Sequence, residues 1–177
     1  MDFFDAIKKR YTHKECFLPD AVPLRDLELI AEAGLAAPSG GNSQSVRLVL
    51  LPDRAALQPL CDISPGSAAL QTAPAAIALF TDSTTQTGAL NFEVEDYAAA
   101  AENMLLAATA LGYASVWLDS PYFDKAKEKS ARALLGAPES CRLRVVVPVG
   151  LPDGPGSRRE KLPFSERMFY GKYYEKY

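Results

Sequence analysis

Histidine is almost absent from this chain of 177 residues, in which His13 is the only one. A single histidine argues against Ser-His-Asp and Cys-His catalytic sites and against histidine-rich metal sites. The cysteines Cys16, Cys61 and Cys141 lie far apart without a CxxC motif, which argues against a disulfide framework and a zinc site. We interpret them as free thiols in a reducing compartment, and we expect any enzymatic chemistry to come from a cofactor.

The chain also lacks the features of secreted, membrane and nucleic-acid-binding proteins. No stretch approaches the roughly 20 apolar residues that a membrane helix needs. Residues 1–14 place their basic side chains after the apolar ones and lack a long apolar region, unlike a secretory signal. The net charge of −3 gives no reason to expect nucleic acid or an anionic membrane as a partner. We therefore expect a cytoplasmic protein.

Length and composition predict one domain over residues 1–177, because the chain can bury a core and shows no internal repeat or linker. The hydrophobic patterns predict helices at 2–10, 23–35, 53–63, 93–111 and 124–135. They predict buried strands at 46–51, 75–80, 114–118 and 143–149. This order leaves both α/β and α+β architectures open.

Two connecting segments and the longest predicted helix have distinctive compositions. Residues 83–91 are polar and predict a loop, and residues 150–157 are rich in Gly, Pro and Ser and open an extended tail. The helix at 93–111 begins with acidic residues, which suit the helix dipole, and it is rich in alanine on every face. Such a helix suits close packing at a dimer core or inside a monomer.

Two basic segments, one near each end of the chain, are candidates for anion binding. Arg10 and Lys14, together with the Thr12 hydroxyl, have the chemistry to hold a phosphate through charge-assisted hydrogen bonds. The alternative is a solvated basic helix end. Near the other end, Arg159 and Lys161 follow a strand and a Gly-rich turn, for which a flexible charged loop is the alternative.

A third candidate segment, residues 37–44, has the sequence APSGGNSQ. Its small residues allow a ligand to approach the backbone, and Ser39, Asn42 and Gln44 supply donors and acceptors for a polyol or a heteroaromatic edge. The alternative is an ordinary loop that ends a helix.

Taken together and in order, these segments resemble the FMN-dependent nitroreductase family over essentially the whole chain. Residues 10–14 match its R-[RHY]-[ST]-x-[RK] segment, and residues 37–46 match its APS-x-x-N-x-Q-P-W segment up to Gln44. An Ala-rich helix ending in Leu-Gly, a strand with Trp117, and a Gly-x-Pro followed by [KR]-x-[KR]-x-P complete the pattern, the last at residues 159–163.

The resemblance implies an α+β fold of three α-β-α layers around a mixed, mostly antiparallel sheet, in an intertwined homodimer with a C-terminal extension from about residue 151. It implies FMN at the subunit interface and NADH or NADPH as electron donor, with hydride passing through flavin N5 to small acceptors such as nitroaromatics or quinones in a ping-pong cycle. One set of implied FMN-binding residues would surround the phosphate and the pyrimidine end of the flavin: Arg10, Tyr11, Thr12, Lys14, Arg159 and Lys161. A second set would approach the flavin from the other subunit: Pro38, Ser39, Gly40, Asn42 and Gln44.

The sequence departs from the family pattern at two places. Ser45 and Val46 replace the usual Pro-Trp, and Asp119 follows Trp117-Leu118 where many relatives have a glycine. These departures motivate an alternative function, a flavin-binding or flavin-processing protein with little NAD(P)H reductase activity. A further alternative is a dimerisation module that has lost its flavin, against which the retained cations, Ser39 and Asn42 argue.

Overall fold

A computed structural model describes residues 1–85 and 90–173 of the chain. Within these residues the helices are α1 (Phe3–Lys9), α2 (Leu24–Leu35), α3 (Arg54–Ile63), α4 (Ala68–Thr72), α5 (Glu93–Ala110), α6 (Lys125–Leu134) and α7 (Phe164–Arg167). The strands are β1 (Val46–Leu51), β2 (Ala75–Asp82), β3 (Ala114–Ser115) and β4 (Cys141–Gly150). Short 3-10 turns cover Gly40–Asn42, Ser83–Thr85 and Ser120–Phe123.

The strands form one antiparallel sheet with the order β1-β2-β4-β3. Among residues 1–85 and 90–173, the predicted mixed character of the sheet rests on a single isolated parallel bridge, between Thr12 and Ser115. That bridge attaches the segment after α1 to the edge strand β3. The α+β prediction is thus confirmed, and the α/β alternative is excluded because the pairs of neighbouring strands run antiparallel.

Helices cover both faces of this sheet. Along β2 the side chains alternate, so Ala76, Ala78 and Phe80 pack with α3, α4 and α6, whereas Ile77 and Leu79 pack with α2 and α5. These buried residues form two hydrophobic clusters separated by the sheet. The arrangement is the predicted three-layer α-β-α architecture.

A β-bulge interrupts the pairing of β2 with β4. Leu79 lies opposite Val145 and Phe80 lies opposite Leu143, so Arg144 is the extra residue. The bulge turns the Arg144 side chain toward the face covered by α5, where its guanidinium donates to Thr81 and Glu93. A basic side chain thereby lies half-buried beside the apolar Val145–Gly150 part of β4.

The element boundaries follow their local signals closely, with a few differences. Asp2 caps α1 through the Asp5 N–H as predicted, whereas Pro23 lies at the N-cap of α2 instead of its first turn. α3 continues through Pro59 because its buried Leu57 and Leu60 compensate for the missing hydrogen bond.

The third strand is shorter than predicted, since after β3 only the Leu118–Val146 bridge continues the pairing. The sequence pattern missed the short helices α4 and α7, and part of the predicted 83–91 loop lies outside the described residues.

Candidate functional site

Residues from the two ends of the chain line one cavity of about 490 Å³. We call it the cation cavity, because five of its lining residues are basic and only Glu15 is acidic. The six predicted phosphate-end residues all line it: Arg10, Tyr11, Thr12, Lys14, Arg159 and Lys161. The structure therefore brings together the two basic segments that the sequence pattern left more than 140 residues apart.

Main-chain contacts hold the N-terminal segment of the cation cavity in place. Thr12 forms the parallel bridge with Ser115, and the His13 N–H donates to the Ser115 carbonyl at 3.0 Å. The buried His13 ring lies 2.9 Å from the Cys16 carbonyl through Nε2, which must carry the proton because a carbonyl only accepts. The only histidine of the chain thus has a structural role, packing edge-on against Tyr11 and Phe17.

The C-terminal segment is fastened to the N-terminal one by close packing and a hydrogen bond. A Cβ atom at Gly156 would lie 2.2 Å from Cζ of Tyr11, so only glycine lets the tail approach the ring this closely. Arg158 donates to the Lys8 carbonyl in the last turn of α1. These contacts position the following residues, Arg159 and Lys161, at the cavity.

The electrostatics of the cation cavity favour an anion. Arg10 is paired with Glu102 of α5 at 3.4 Å, whereas Lys14, Arg159 and Lys161 form no ion pair with any residue of 1–85 or 90–173. Burial raises the pKa of Tyr11, so its hydroxyl stays protonated and available as a donor. Unpaired cations beside a protonated phenol and the Thr12 hydroxyl form a donor set that suits a phosphate dianion.

A second cavity, of about 700 Å³, lies beside the 37–44 segment, and we call it the loop cavity. Four of the five predicted residues of this segment line it: Pro38, Ser39, Asn42 and Gln44. Gly40 does not, because it packs against Phe92, whose ring would lie 2.2 Å from an added Cβ. Val46 also lines the loop cavity, at the position where the family pattern has tryptophan.

None of the described residues lines both cavities. Within a single chain the structure therefore does not unite the two predicted sets of residues. The residues of the 37–44 segment line the loop cavity, and the predicted phosphate-end residues line the cation cavity. Each cavity has its own polar groups. This separation agrees with the implied arrangement in which the second set acts on a partner subunit.

Two groups around these cavities were missed by the sequence pattern. Asp96 lines the loop cavity and is only 2% exposed, whereas the sequence pattern explains the acidic start of α5 by the helix dipole alone. Its spacing of four residues from the buried Ala100 and eight from the buried Met104 places it on the buried face of α5, which is a signal that could have found it.

The second missed group, Tyr97 with Arg144, supports Trp117 at the wall of the cation cavity. Its indole Nε1 donates to the Asp119 carboxylate at 2.7 Å, and its ring lies 5.7 Å from that of Tyr97. Tyr97 in turn lies under the Arg144 guanidinium, at 5.5 Å. Asp119 is therefore engaged with a residue of the cavity wall.

Among the described residues, no helix is both long and apolar enough to cross a membrane.

The sequence and the fold are similar to those of known proteins. A protein of Archaeoglobus fulgidus with the provisional name NADH dehydrogenase/NAD(P)H nitroreductase is 37% identical over 150 residues, covering 84% of this chain and 86% of the relative. A crystal structure from Bacteroides thetaiotaomicron, with the same provisional name, superposes with a TM-score of 0.84 at 27% identity, covering 97% of this chain and 98% of the other.

A provisionally named nitroreductase from Desulfovibrio desulfuricans, solved in complex with FMN, is also similar. It superposes with a TM-score of 0.81 at 27% identity and covers 98% of both chains. The model of the Nitroreductase family matches residues 7–67 and 64–151 of the sequence. These matches span most of the chain, and the chain therefore belongs to the nitroreductase family.

Proposed function

We propose that this protein is an FMN-dependent NAD(P)H oxidoreductase that reduces small acceptors such as nitroaromatics or quinones. The observation that carries the proposal is the convergence of Arg10, Lys14, Arg159 and Lys161 on one cavity. A cavity of about 490 Å³ has the size of a cofactor site, for which volumes of roughly 300–1,000 Å³ are usual. The FMN complex of the D. desulfuricans relative supports the choice of cofactor.

Different residues of the cation cavity would make different contacts with FMN. Arg159, Lys161 and Lys14 would neutralise the phosphate, while Tyr11 and Thr12 would donate hydrogen bonds. Bound FMN would supply the hydride chemistry at its N5 atom. The provisional names of the relatives support NADH or NADPH as the donor. The proposed cycle is ping-pong, in which the nicotinamide leaves before the acceptor binds. The protein's own contribution is to orient the flavin and leave one face open to small molecules.

We propose that the functional form is a homodimer with FMN at the subunit interface. Two observations support this: the cation and loop cavities are separate in one chain, and large apolar side chains are exposed on α1 and on the tail. Phe3 and Phe4 are 63% and 69% exposed, and Tyr170 is 81% exposed. Association with a partner subunit that buries such side chains is favoured by the hydrophobic effect. The single-domain organisation with an extension from about residue 151, and the cytoplasmic location, stay predictions.

The direct test is the visible absorption spectrum of the purified protein, followed anaerobically after NADH or NADPH is added. We expect flavin bands that bleach with at least one nucleotide. A protein that shows no bands even after FMN is added would refute the proposal.

Charge removal tests the site. We expect the pair Arg159→Gln and Lys161→Gln to lose FMN, because two charge-assisted bonds to the phosphate disappear. The pair Lys127→Gln and Lys129→Gln on the exposed face of α6 removes the same charge as a control. Full flavin occupancy in the first pair would contradict the assignment of the cation cavity.

One observation favours the second candidate, a flavin-binding or flavin-processing protein with little NAD(P)H reductase activity. Asp119, where many relatives have a glycine, holds the Trp117 indole at the wall of the cation cavity. A fixed carboxylate near a flavin disfavours the gain of negative charge on reduction. Flavin bands that persist after NADH and NADPH are added would select this candidate.

A further inference from the structure

The 39–45 loop has an uncommon backbone. Gly41, Asn42 and Gln44 all have positive φ angles, of 58°, 55° and 48°. Asn42 and Gln44 carry side chains, so their left-handed conformation costs free energy that the surroundings must offset. The loop therefore needs contacts that hold it in this shape.

The Asp96 carboxylate supplies those contacts. It accepts hydrogen bonds from the Gly40 N–H at 2.7 Å, the Ser43 hydroxyl at 2.9 Å and the Ser45 hydroxyl at 2.6 Å. In the described part of the chain its hydrogen-bond partners are all neutral donors of this one loop. A buried carboxylate is costly unless such donors satisfy it, so the loop and the carboxylate stabilise each other.

One further contact fixes the loop relative to α5, and a second one braces the loop internally. Gly40 packs against Phe92 so closely that a Cβ atom would overlap the ring, and the Gln44 N–H donates to the Ser39 hydroxyl at 3.0 Å. Both Phe92 and Asp96 belong to the start of α5. The position of the loop is thus set by the N-terminal end of this helix.

The Ser45 hydroxyl departs from the family pattern, which has proline at that position, and proline offers no donor. Ser45 is fully buried, and its shortest hydrogen bond is the one to Asp96. The residue that departs from the family pattern therefore donates a hydrogen bond to the carboxylate of Asp96 in α5.

We propose that Asp96 is a positioning residue that shapes the 39–45 loop into the wall of the partner subunit's flavin site, an inference that rests on the proposed function. Ser39 and Asn42, which line the loop cavity, then face the cofactor only while Asp96 holds Gly40, Ser43 and Ser45. The role is separate from phosphate binding, because the cation cavity contains neither Asp96 nor the loop.

The test compares FMN binding and inorganic phosphate binding to the full chain carrying Asp96→Ala, with Glu95→Ala as control. Glu95 is the exposed neighbour in the same turn of α5, so it matches the change in charge and helix dipole. We expect Asp96→Ala to raise the Kd for FMN by about tenfold or more. The variant loses the hydrogen bonds between the loop and the Asp96 carboxylate, and one hydrogen bond to a charged group is worth about that factor. We also expect an altered visible circular dichroism of the bound flavin, with an unchanged Kd for phosphate.

Two conservative variants keep the test valid if Asp96→Ala does not fold. Asp96→Asn should restore most of the FMN affinity, since its amide can accept from Gly40 and donate to the two serine hydroxyls. Ser45→Ala should shift the flavin signal in the same direction as Asp96→Ala by a smaller amount.

The possible results distinguish a failure of the inference about Asp96 from a failure of the proposed function. Equal FMN affinity and an identical flavin signal in Asp96→Ala would overturn this inference alone, as would a parallel loss of phosphate binding, which indicates general damage. Failure of the unaltered protein to bind FMN would overturn the proposed function, and this inference with it.

Discussion

The close contact between Gly156 and Tyr11 allows a sharp test of how the cation cavity is built. Replacing Gly156 by alanine would place a methyl group 2.2 Å from Cζ and 2.6 Å from the hydroxyl of Tyr11. Because real carbon atoms do not approach this closely, either the ring or the tail must move. The ring packs edge-on against His13, so we expect the tail to move and carry Arg159 and Lys161 with it.

The expected effect on FMN affinity follows from the contacts that are lost. Two charge-assisted hydrogen bonds at about 1.5 kcal/mol each amount to about 3 kcal/mol, or roughly a hundredfold rise in Kd. Titration of the apoprotein with FMN, followed by flavin fluorescence, measures this change. The free energy of unfolding should change little, because the tail is exposed and buries few apolar side chains.

Gly66→Ala is the matched control, since an added Cβ there meets no atom within 4 Å and the residue has no positive φ. Combining Gly156→Ala with Tyr11→Ala removes the clash, so the two effects on FMN affinity should not add. An unchanged Kd in Gly156→Ala, or full additivity in the double variant, would refute this account of the cavity.

Two other predictions concern single contacts. Glu102→Gln should tighten FMN binding by less than about fivefold and steepen its salt dependence, because it removes the negative partner of Arg10 from a partly exposed ion pair; weaker binding in a salt titration would mean that Glu102 mainly orients Arg10. Tyr113→Phe removes a 2.6 Å hydrogen bond to Asp26 and should lower the free energy of unfolding by about 1 kcal/mol at neutral pH. Burial, with the adjacent Asp26 carboxylate, raises the pKa of Tyr113 from 10.0 to about 12, so its stabilisation is complete below pH 10.0 and is lost as the pH rises to about 12. Urea unfolding of both proteins across this range should therefore show the difference shrinking, and a constant difference would contradict the assignment.

Much of the fold could be predicted from the sequence because local signals and burial agree. The pattern of β2 predicts a buried strand, and Ala75–Asp82 is one, with alternate side chains in the two clusters. Asp2 and Gly112 mark helix ends that their side-chain and backbone chemistry favours, the glycine through a φ of 92°. The short β3 and the helix α4 were beyond reach, because they depend on packing with other segments. The helix α7 is a single exposed turn without a buried residue, so no apolar periodicity marks it.

The candidate site was predictable to the extent that its residues carry chemistry in short motifs. The cation set of Arg10, Lys14, Arg159 and Lys161 could be named, but their convergence depends on a β-bridge and on the Tyr11–Gly156 contact. Glu93 and Asp96 show the limit of local reasoning. Both satisfy the dipole rule at a helix start, yet each is buried and bonded to a segment more than 50 residues away.

The separation of the two cavities has a thermodynamic consequence for the proposed homodimer. If each cofactor contacts the cation cavity of one subunit and the 39–45 loop of the other, cofactor binding and subunit association become linked equilibria. A ligand that binds only the assembled form stabilises it by about 2.7 kcal/mol at a hundredfold excess over its Kd. Dilution of the protein would then release FMN, and FMN in excess would keep dilute protein dimeric, so the cell's supply of flavin would control how much of this protein is assembled.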